Sequence, residues 1–454
     1  MEVSLSSTFS VPRQLMVTYA RKYVLSVLSS GIRHGTLVIL ESSKTYEFGQ
    51  GDRGKSTPTI VVVSDSFWLR LFLRNDLGFS ESYMLGEIEV EHLRPIHDLW
   101  LDNMTQLEGL STYAHIFYST LTKWTSYILG QSISQAKLNA VAGYDESNTL
   151  FKLANYTPEA FLSEDMMYSS ALFSDEEGGV YGDMELRKCG SRDLENAEMR
   201  KIHHFLRRAR IRKGDRILEF GSGWCSTAIE AARTYGCTVD TLTLSVAQKA
   251  FGEERIREAG LSSLITVHLL DYRSLPASFE KAFDAFISIE MLEHVGPRYY
   301  EEYFRIVNWA LKVDRAIAVI SSSTMPESRY DKYQAPDFAR QYLWPNGTLP
   351  SVTALITAAQ VGSSSQLNLD TIENHGEHYA RTLREWEQRF RANVDRSVMN
   401  AVAQERPDLA EASRLESFRK KWLYLFSYAA AGYERGYVTC HMLTFTRIGG
   451  SVSG

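Results

Sequence analysis

The sequence predicts an α/β protein in which a larger domain with a doubly wound parallel sheet follows a smaller α+β domain. At 454 residues the chain is too long for one ordinary core, so two domains are expected. From about residue 167 to 325, strands, turns and helices alternate, which favours a parallel sheet with helices on both faces. Nearer the N-terminus, three short strands follow one another closely, as in a small α+β domain.

The amino-terminal strands are indicated by runs of apolar and β-branched residues at 35–40, 44–48 and 59–63. We assign residues 1–110 to this domain and interpret it as a substrate-presenting or lipid-binding module. Residues 111–160 are rich in Ser, Thr, Tyr and Asn and are interpreted as a connector. Residues 161–454 are assigned to the larger domain.

Composition is that of a globular protein and excludes several classes. Hydrophobic residues make up 44% and charged residues 23%, which excludes a disordered, collagenous or membrane-spanning chain. The net charge of -6 argues against a broad nucleic-acid footprint. A basic run at 207–213 can meet an anionic surface, but such runs more often form solvated helix ends.

The cysteine pattern points to a reducing, cytoplasmic compartment. The four cysteines lie far apart, without the CxxC or Cys/His spacing of a metal site or a disulfide framework: Cys189, Cys225, Cys237 and Cys440. The N-terminus shows no signal-peptide pattern, and no stretch approaches the length of a membrane span.

A glycine turn marks the candidate cofactor site. A short apolar strand at 216–220 runs into Gly221 and Gly223, and a helix follows at 227–235. Glycines there permit positive φ and let a ligand lie against bare backbone at the carboxyl end of a strand. The pattern alone also fits a dinucleotide site or a plain corner between strand and helix.

Three further features favour a nucleoside pocket for S-adenosylmethionine (SAM) over a dinucleotide site. Ser226 stands where a dinucleotide fingerprint has its third glycine. The next strand ends at Thr243, with Gln248 one helical turn later, and these neutral groups suit ribose hydroxyls. The strand after that ends in Asp271 and Tyr272, a carboxylate for an adenine amino group with an aromatic ring beside it.

These motifs continue in a fixed order along the chain. They comprise the segments at 76–87, 167–173, 216–224, 243–245, 271–273, 290–297, 342–351 and 379–386. In this order they resemble the cyclopropane-fatty-acyl-phospholipid synthase and mycolic acid cyclopropane synthase family of SAM-dependent methyltransferases. The resemblance implies a Rossmann-like methyltransferase domain and SAM as cofactor. It assigns nine residues to SAM: Tyr168 and Ser169 closing over it, Gly221 and Gly223 at its methionine end, Thr243, Leu244 and Gln248 at its ribose, and Asp271 and Tyr272 at its adenine.

Methyl transfer to an alkene sets its own chemical requirements. The product is a carbocation, which must be stabilised and then lose a proton. Carboxylate, phenol and aromatic groups can do both, and Glu293, His294 and Tyr379 are the candidates. Four aromatic residues can form walls of the site: Phe173, Trp344, Trp386 and Phe390. Trp386 and Phe390 have helical spacing, which favours an ordinary core position for these two.

The resemblance also implies a bicarbonate ion as base, and here the sequence departs from the family. Matching the motifs places Ser170, Glu293, Ser321 and Tyr379 around the ion, with serines where the family has a cysteine and a histidine. Ser321 cannot supply an imidazole N–H, so the anion site is weakened, but its hydroxyl still donates one hydrogen bond and leaves bicarbonate open. Glu290 replaces a family glycine, and the segment at 143–148 lacks a family histidine.

We therefore predict a SAM-dependent C-methyltransferase that transfers a one-carbon unit to an alkene carbon of a lipid or polyene. One alternative is methylation, or cation-driven cyclisation, of a specialised metabolite, including transfer to nitrogen or oxygen. Another is a non-catalytic relative that binds lipid. The expected partner is an apolar unsaturated molecule or acyl chain and no nucleic acid. Peripheral membrane contact, a homo-oligomeric state and the choice between ring, methyl and methylene products stay open.

Overall fold

The computed structural model describes residues 10–51, 57–107, 160–184, 190, 192–332, 334, 336–344 and 347–447. The described chain forms two compact units, each built from several stretches of sequence. The first unit includes the described residues up to 107, together with 336–344 and 394–431. The second includes 160–334, 347–393 and 432–447. Two stretches of the first unit thus lie inside the span that the sequence assigned to the larger domain.

The first unit contains the three predicted strands and several helices. Its described sheet has four strands in the order β2-β1-β3-β4, with β1 and β3 parallel and the other pairs antiparallel. The elements are α1 (Ser10–Gly31), β1 (Gly35–Glu41), β2 (Lys44–Gln50), β3 (Thr59–Val62), α2 (Ser66–Leu85), β4 (Ile88–Val90), α3 (Leu93–Asp102) and α4 (Met104–Leu107).

Distant parts of the sequence meet in the core of the first unit. Arg70 on α2 pairs with Glu81 at 3.2 Å and with Glu87 at 2.9 Å. The Tyr342 hydroxyl donates a hydrogen bond of 2.6 Å to Glu81. Buried charges need such partners, so this cluster ties the stretch at 336–344 into the unit.

The second unit contains the predicted parallel sheet. Its described strands are β5 (Arg216–Phe220), β6 (Thr238–Thr243), β7 (Ile265–Leu269), β8 (Ala285–Ile289), β9 (Ile317–Thr324), β10 (Leu367–Asn374) and β11 (Thr439–Arg447). They lie in the order β10-β11-β9-β8-β5-β6-β7. Strands β5 to β9 are parallel, which confirms the prediction, whereas β11 runs antiparallel to both β9 and β10.

The remaining helices complete the two units. They are α5 (Asp193–Arg208), α6 (Ser226–Tyr235), α7 (Val246–Glu258), α8 (Tyr300–Ala310), α9 (Phe338–Tyr342), α10 (Val352–Gly362), α11 (Gly376–Asn393), α12 (Arg396–Glu405) and α13 (Ala412–Glu434). Short 3₁₀ helices lie at Asp175–Glu177, Gly179–Tyr181, Tyr272–Ser274, Ala277–Phe279, Leu292–His294 and Pro407–Leu409. Two buried apolar clusters pack against the large sheet. Because parallel strands share their direction, the residues after β5, β6, β7 and β8 gather at one edge.

Some predictions fall outside the described residues. These are most of the connector at 111–160, the segment at 143–148, and Cys189. The other cysteines, Cys225, Cys237 and Cys440, are buried free thiols. Within the described chain, no helix combines the length and apolarity that crossing a membrane requires.

Candidate active site

The glycine turn lies directly after β5 and is open to a ligand. Gly221 has φ 88° and Gly223 has φ 47°, a backbone conformation that side chains disfavour. A Cβ on Gly221 would lie 3.4 Å from Met291 Cβ, whereas one on Gly223 would meet nothing within 4 Å. The bare backbone thus leaves room for the methionine end of SAM. Met291 also places the next loop, after β8, against this turn.

The predicted ribose residues follow β6 and are held by local hydrogen bonds. Thr243 Oγ1 donates to Gln248 Oε1 at 2.7 Å, and Ser245 begins α7 by accepting from the Gln248 backbone N–H at 3.2 Å. These bonds fix the Gln248 side chain at the sheet edge. Leu244, between them, is 72% exposed and offers an apolar surface to a ligand.

The predicted adenine residues follow β7. The Asp271 carboxylate accepts from the Arg273 side chain at 2.7 and 2.8 Å, and this hydrogen bonding lowers the pKa of Asp271. An adenine amino group would therefore bind the Asp271 carboxylate alongside Arg273, and this carboxylate is ionised and already oriented. The Tyr272 ring packs against Phe220 and Tyr303, with both centroids at 5.6 Å.

The segment before α5 carries the residues predicted to close over the cofactor. The Tyr168 ring stacks on Trp386 at 5.1 Å with 17° between the planes. Ser169 Oγ accepts a hydrogen bond from the Lys201 ammonium. Lys201 Nζ lies 2.6 Å from Glu198 Oε2, with 2% and 0% of the two side chains exposed. Burial raises the pKa of Glu198 to about 8, opposed by the charge of Lys201. Lys201 thus links Ser169 to the buried Glu198 carboxyl group.

Glu290, at the carboxyl end of β8, lies at the centre of the site. Its carboxylate accepts the Ser170 backbone N–H at 2.8 Å and the Tyr379 hydroxyl, and Cys440 Sγ approaches to 3.9 Å. The side chain keeps some accessible surface, yet protein surrounds it. Burial raises the pKa of Glu290, opposed by the charge of Lys201 and by these hydrogen bonds. Glu290 is thus a hydrogen-bonded carboxylate whose basicity is increased.

Glu293 is the second carboxylate of the site. Its Oε1 atom accepts the Ser323 backbone N–H at 2.5 Å. Burial, and next the charge of Glu290, raise the pKa of Glu293 to about 8. Two close carboxylates resist ionising together, and near neutral pH Glu293 holds a proton.

Aromatic rings surround this pair. The rings of Tyr379 and Tyr433 lie 4.4 Å apart, and Trp386 meets Tyr379 edge to face at 6.3 Å. Tyr433 and Ser323 hydroxyls share a hydrogen bond of 2.6 Å. Electron-rich faces next to a carboxylate stabilise a positive charge. Trp386 therefore belongs both to the core, as its helical spacing indicated, and to the site.

The other predicted aromatic walls are placed differently. Phe390 is a core residue that packs near Phe161 at 6.4 Å. Phe173 lies under the Arg381 guanidinium at 4.0 Å. Trp344 belongs to the first unit.

The hydroxyl groups of Ser170 and Ser321, two predicted ligands of the anion, do not hydrogen-bond to the carboxylates of the site. Ser170 acts through its backbone N–H, while its hydroxyl donates to the Ala171 carbonyl at 3.2 Å. Ser321 Oγ is buried and finds no hydrogen-bond partner in the described chain, while the Ser321 carbonyl accepts from the Glu290 N–H at 3.0 Å. His294 is exposed, and its catalytic role stays a prediction.

Sequence reasoning missed Cys440, Tyr433 and Lys201 as members of the site. They come from β11, α13 and α5, and none belongs to a motif that the sequence brought out. Glu290 did give a signal, as a glutamate in a position where the family has glycine. Its contacts were not predictable from that signal.

A second group of titratable residues lies on α5 and β10. His204 Nε2 is 2.7 Å and His375 Nε2 is 3.7 Å from Glu373 Oε2. Arg208 holds the other carboxylate oxygen at 2.6 Å. A metal cation there would compete with this guanidinium, so we interpret the group as an ion-pair network.

Comparison with known proteins identifies the family of the chain. The family model described as mycolic acid cyclopropane synthetase matches residues 131–442. The chain belongs to this family. Tuberculostearic acid methyltransferase UfaA1 of Mycobacterium tuberculosis is 30% identical over 97% of this chain and 94% of its own length. Cyclopropane-fatty-acyl-phospholipid synthase of Escherichia coli is 27% identical over 87% of this chain and 89% of its own length.

Solved structures of the family share the fold over about two thirds of this chain. Cyclopropane synthase MmaA2 from Mycobacterium tuberculosis superposes with a TM-score of 0.51 at 22% identity, covering 68% of this chain and 98% of that one. Mycolic acid cyclopropane synthase CmaA1, complexed with SAH and CTAB, gives 0.52 at 21% identity, covering 65% and 95%. The predicted SAM-dependent methyltransferase fold is thereby confirmed, with SAM as the cofactor that the family implies.

Proposed function

We propose that this protein transfers a one-carbon unit from SAM to an alkene carbon of a lipid acyl chain. The observation that carries the proposal is the carboxylate pair Glu290 and Glu293 beside the glycine turn. Met291 lies between these residues in sequence, and its Cβ is 3.4 Å from the place of a Cβ on Gly221. Acid–base groups therefore adjoin the cofactor's methionine end.

The residues of this site suit the requirements of alkene methylation. When bound, SAM supplies an electrophilic methyl group. Tyr379 and Tyr433 supply aromatic rings beside the carboxylate pair that can stabilise the carbocation left on the substrate. The carboxylate pair then removes a proton. Methyl transfer to a nitrogen or oxygen atom has no comparable need for aromatic faces around a base.

The class of acceptor is supported by relatives. One is named a tuberculostearic acid methyltransferase, one a cyclopropane-fatty-acyl-phospholipid synthase, and a third a sphingolipid C9-methyltransferase, from Gibberella zeae. The last is 23% identical over 81% of this chain and 64% of its own length. A lipid chain is thus favoured over a soluble metabolite. Peripheral membrane contact, a homo-oligomeric state and a cytoplasmic location stay predictions.

The test is incubation with methyl-deuterated SAM and a total lipid extract of the host, followed by mass spectrometry of the acyl chains. Retention of two deuterons per transferred carbon indicates a ring or a methylene group, because one methyl proton position is lost. Retention of all three indicates a methyl branch. Either result supports the proposal.

Two outcomes would contradict it. SAM binding without any labelled lipid would favour a specialised metabolite as acceptor, and labelled methyl transfer to a soluble polyene would establish it. Binding of lipid without SAM binding would favour the non-catalytic alternative. Gly221→Ala is the control for dependence on SAM, because it alters the cofactor turn and leaves both carboxylates in place.

A further inference from the structure

We propose that Glu290 is the catalytic base of this protein and replaces the bicarbonate ion that the family resemblance implied. This inference rests on the proposed function, since a base is needed only after methyl transfer to an alkene. It departs from the family in one respect: the base is part of the chain and does not have to be bound from solution.

The hydrogen-bond donors of the site are the first evidence. The Ser170 N–H at 2.8 Å and the Tyr379 hydroxyl both donate to the Glu290 carboxylate. The resemblance had assigned these two positions to the anion. A bicarbonate ion that used the same donors would have to displace the Glu290 side chain from them, and whenever Glu290 is ionised its negative charge repels a second anion. The residues present therefore do not fit a bound bicarbonate.

Ser321 adds to this disagreement. It stands where the resemblance implies a histidine ligand of the ion, and its buried hydroxyl has no hydrogen-bond partner among the described residues. A serine at this position provides neither positive charge nor an imidazole N–H. Serine at position 321 therefore removes the imidazole that would hold a bicarbonate ion. A carboxylate that is part of the chain does not need this ligand.

The backbone at Glu290 shows how the carboxylate reaches this position. Glu290 has φ 50°, a left-handed conformation that glycine adopts freely and other residues adopt at a cost. Its N–H donates to the Ser321 carbonyl at 3.0 Å, which anchors the turn to β9. Strained residues of this kind persist where the surrounding structure holds them and often belong to functional sites.

The charges around Glu290 favour its role as a base. Lys201 stabilises the ionised form of Glu290, while Glu293 stays protonated at neutral pH. Burial raises the pKa of Glu290, and a stronger base accepts a proton from a carbocation more readily. The pair thus contains one proton donor and one proton acceptor.

The proposed step is balanced as follows. Methyl transfer breaks a carbon–sulfur bond and forms a carbon–carbon bond, which leaves a positive charge on the other alkene carbon. The Glu290 carboxylate takes one proton, either from the transferred methyl group or from a carbon next to the charge. The released electron pair closes a three-membered ring in the first case and forms a double bond in the second. Neutral Glu290 then returns its proton to solvent.

The first experiment compares the wild type with Glu290→Gln and Glu290→Gly in buffer freed of carbon dioxide. Transfer of labelled methyl groups from SAM to dioleoylphosphatidylglycerol vesicles is measured with and without added bicarbonate. Wild-type activity should not depend on bicarbonate. Loss of the base should lower the rate of both variants by about 10²- to 10⁴-fold. Only Glu290→Gly should recover with bicarbonate, because glycine tolerates this φ and leaves space for the ion.

The outcomes separate this inference from the proposed function. Activity of Glu290→Gln close to that of the wild type, or a wild type that requires bicarbonate, would overturn the inference alone. Lack of transfer by the wild type to any lipid would overturn the proposed function. Glu230→Gln on α6 is the matched control: it removes a buried carboxylate whose hydrogen-bond partners, Arg233 at 2.9 Å and Thr234 at 2.8 Å, have no role in the site, and it should leave the rate unchanged.

The second experiment needs no acceptor. Binding of ¹³C-labelled bicarbonate is followed by NMR line broadening, and the SAM affinity of each variant by calorimetry serves as a check of folding. We expect broadening with Glu290→Gly and none with the wild type. Bicarbonate binding by the wild type, or its absence from a folded Glu290→Gly that binds SAM, would contradict the inference.

Discussion

The backbone N–H of Ser170 donates a hydrogen bond of 2.8 Å to the carboxylate of Glu290, 120 residues further along the chain. Ser170 follows the segment that closes over the cofactor, and Glu290 ends strand β8. The bond therefore joins the cofactor side of the site to the group that we assign as its base. Because of this bond, a substitution near Ser170 should alter the position of the Glu290 carboxylate, and a substitution of Glu290 should alter the segment that contains Ser170.

Glu293→Gln should change how stability depends on pH. The folded-state pKa of Glu293 is raised to about 8, so between its ordinary value and that pH the native state binds more protons than the unfolded state. Stability from this group is therefore lost as the pH rises through that range. Glutamine cannot ionise, so the variant should lose this part of the slope, measured as the thermal midpoint from pH 5 to 9. An unchanged slope would contradict the assignment of Glu293 as the protonated partner.

Tyr379→Phe should weaken catalysis without weakening SAM binding. The variant removes a hydroxyl that donates to the Glu290 carboxylate, and a hydrogen bond to a charged group contributes about 1.5–3 kcal/mol. Loss of this donor raises the pKa of Glu290, so the acid limb of the pH–rate profile should move to higher pH.

The matched control for that variant is Tyr342→Phe. Its hydroxyl also donates to a buried carboxylate, that of Glu81 at 2.6 Å, but in the first unit. This change should leave the pH–rate profile in place. Equal shifts in both variants would indicate a general effect of losing a buried hydroxyl.

Gly221→Ala should weaken SAM binding. Alanine at φ 88° is strained, at a cost of about 1–2 kcal/mol, and its methyl group would occupy the surface left bare for the ligand. Calorimetry should show an increase in Kd of about tenfold or more. Gly260→Ala is the control, because Gly260 has φ 71° and open space around it at the far end of α7. If both variants bind SAM equally well, the glycine turn is not the cofactor site.

Lys201→Met should destabilise the second unit. It leaves the Glu198 carboxyl group, whose pKa burial raises to about 8, buried without its partner, and an unsatisfied buried polar group costs about 1–3 kcal/mol. The double variant Lys201→Met/Glu198→Leu should recover much of this loss, as measured by denaturant midpoints. A single variant as stable as the wild type would show that the pair does not support the fold.

The strand ends that form the proposed cofactor site were predictable from the sequence. Gly221, Thr243 and Asp271 each follow an apolar strand, and the carboxyl ends of parallel strands meet at one edge of a sheet. Local periodicity was enough to find those strands, and one topological rule was enough to bring their ends together. Glu293 was instead predicted from the chemistry of a carbocation and from the family motif at 290–297.

The first unit depends on long-range contacts that local sequence patterns do not predict. Its sheet strands were predicted from runs of apolar residues, whereas the contact of Tyr342 with Glu81 spans 261 residues of sequence. No spacing rule connects positions so far apart. The sequence therefore assigned 336–344 and 394–431 to the larger domain, while the structure includes them in the smaller unit.

By itself, the sequence determined the parallel sheet, the glycine turn and the family, because these depend on short runs of residues and on their order. Only the tertiary structure decided that Glu290 accepts the hydrogen bonds that the resemblance assigned to a bicarbonate ion. Ser170, Tyr379 and Cys440 come from three separate elements, and they converge on Glu290 only when the sheet, α11 and the segment before α5 pack together. The charge and basicity of that carboxylate follow from burial and from these neighbours, which are properties of the folded chain.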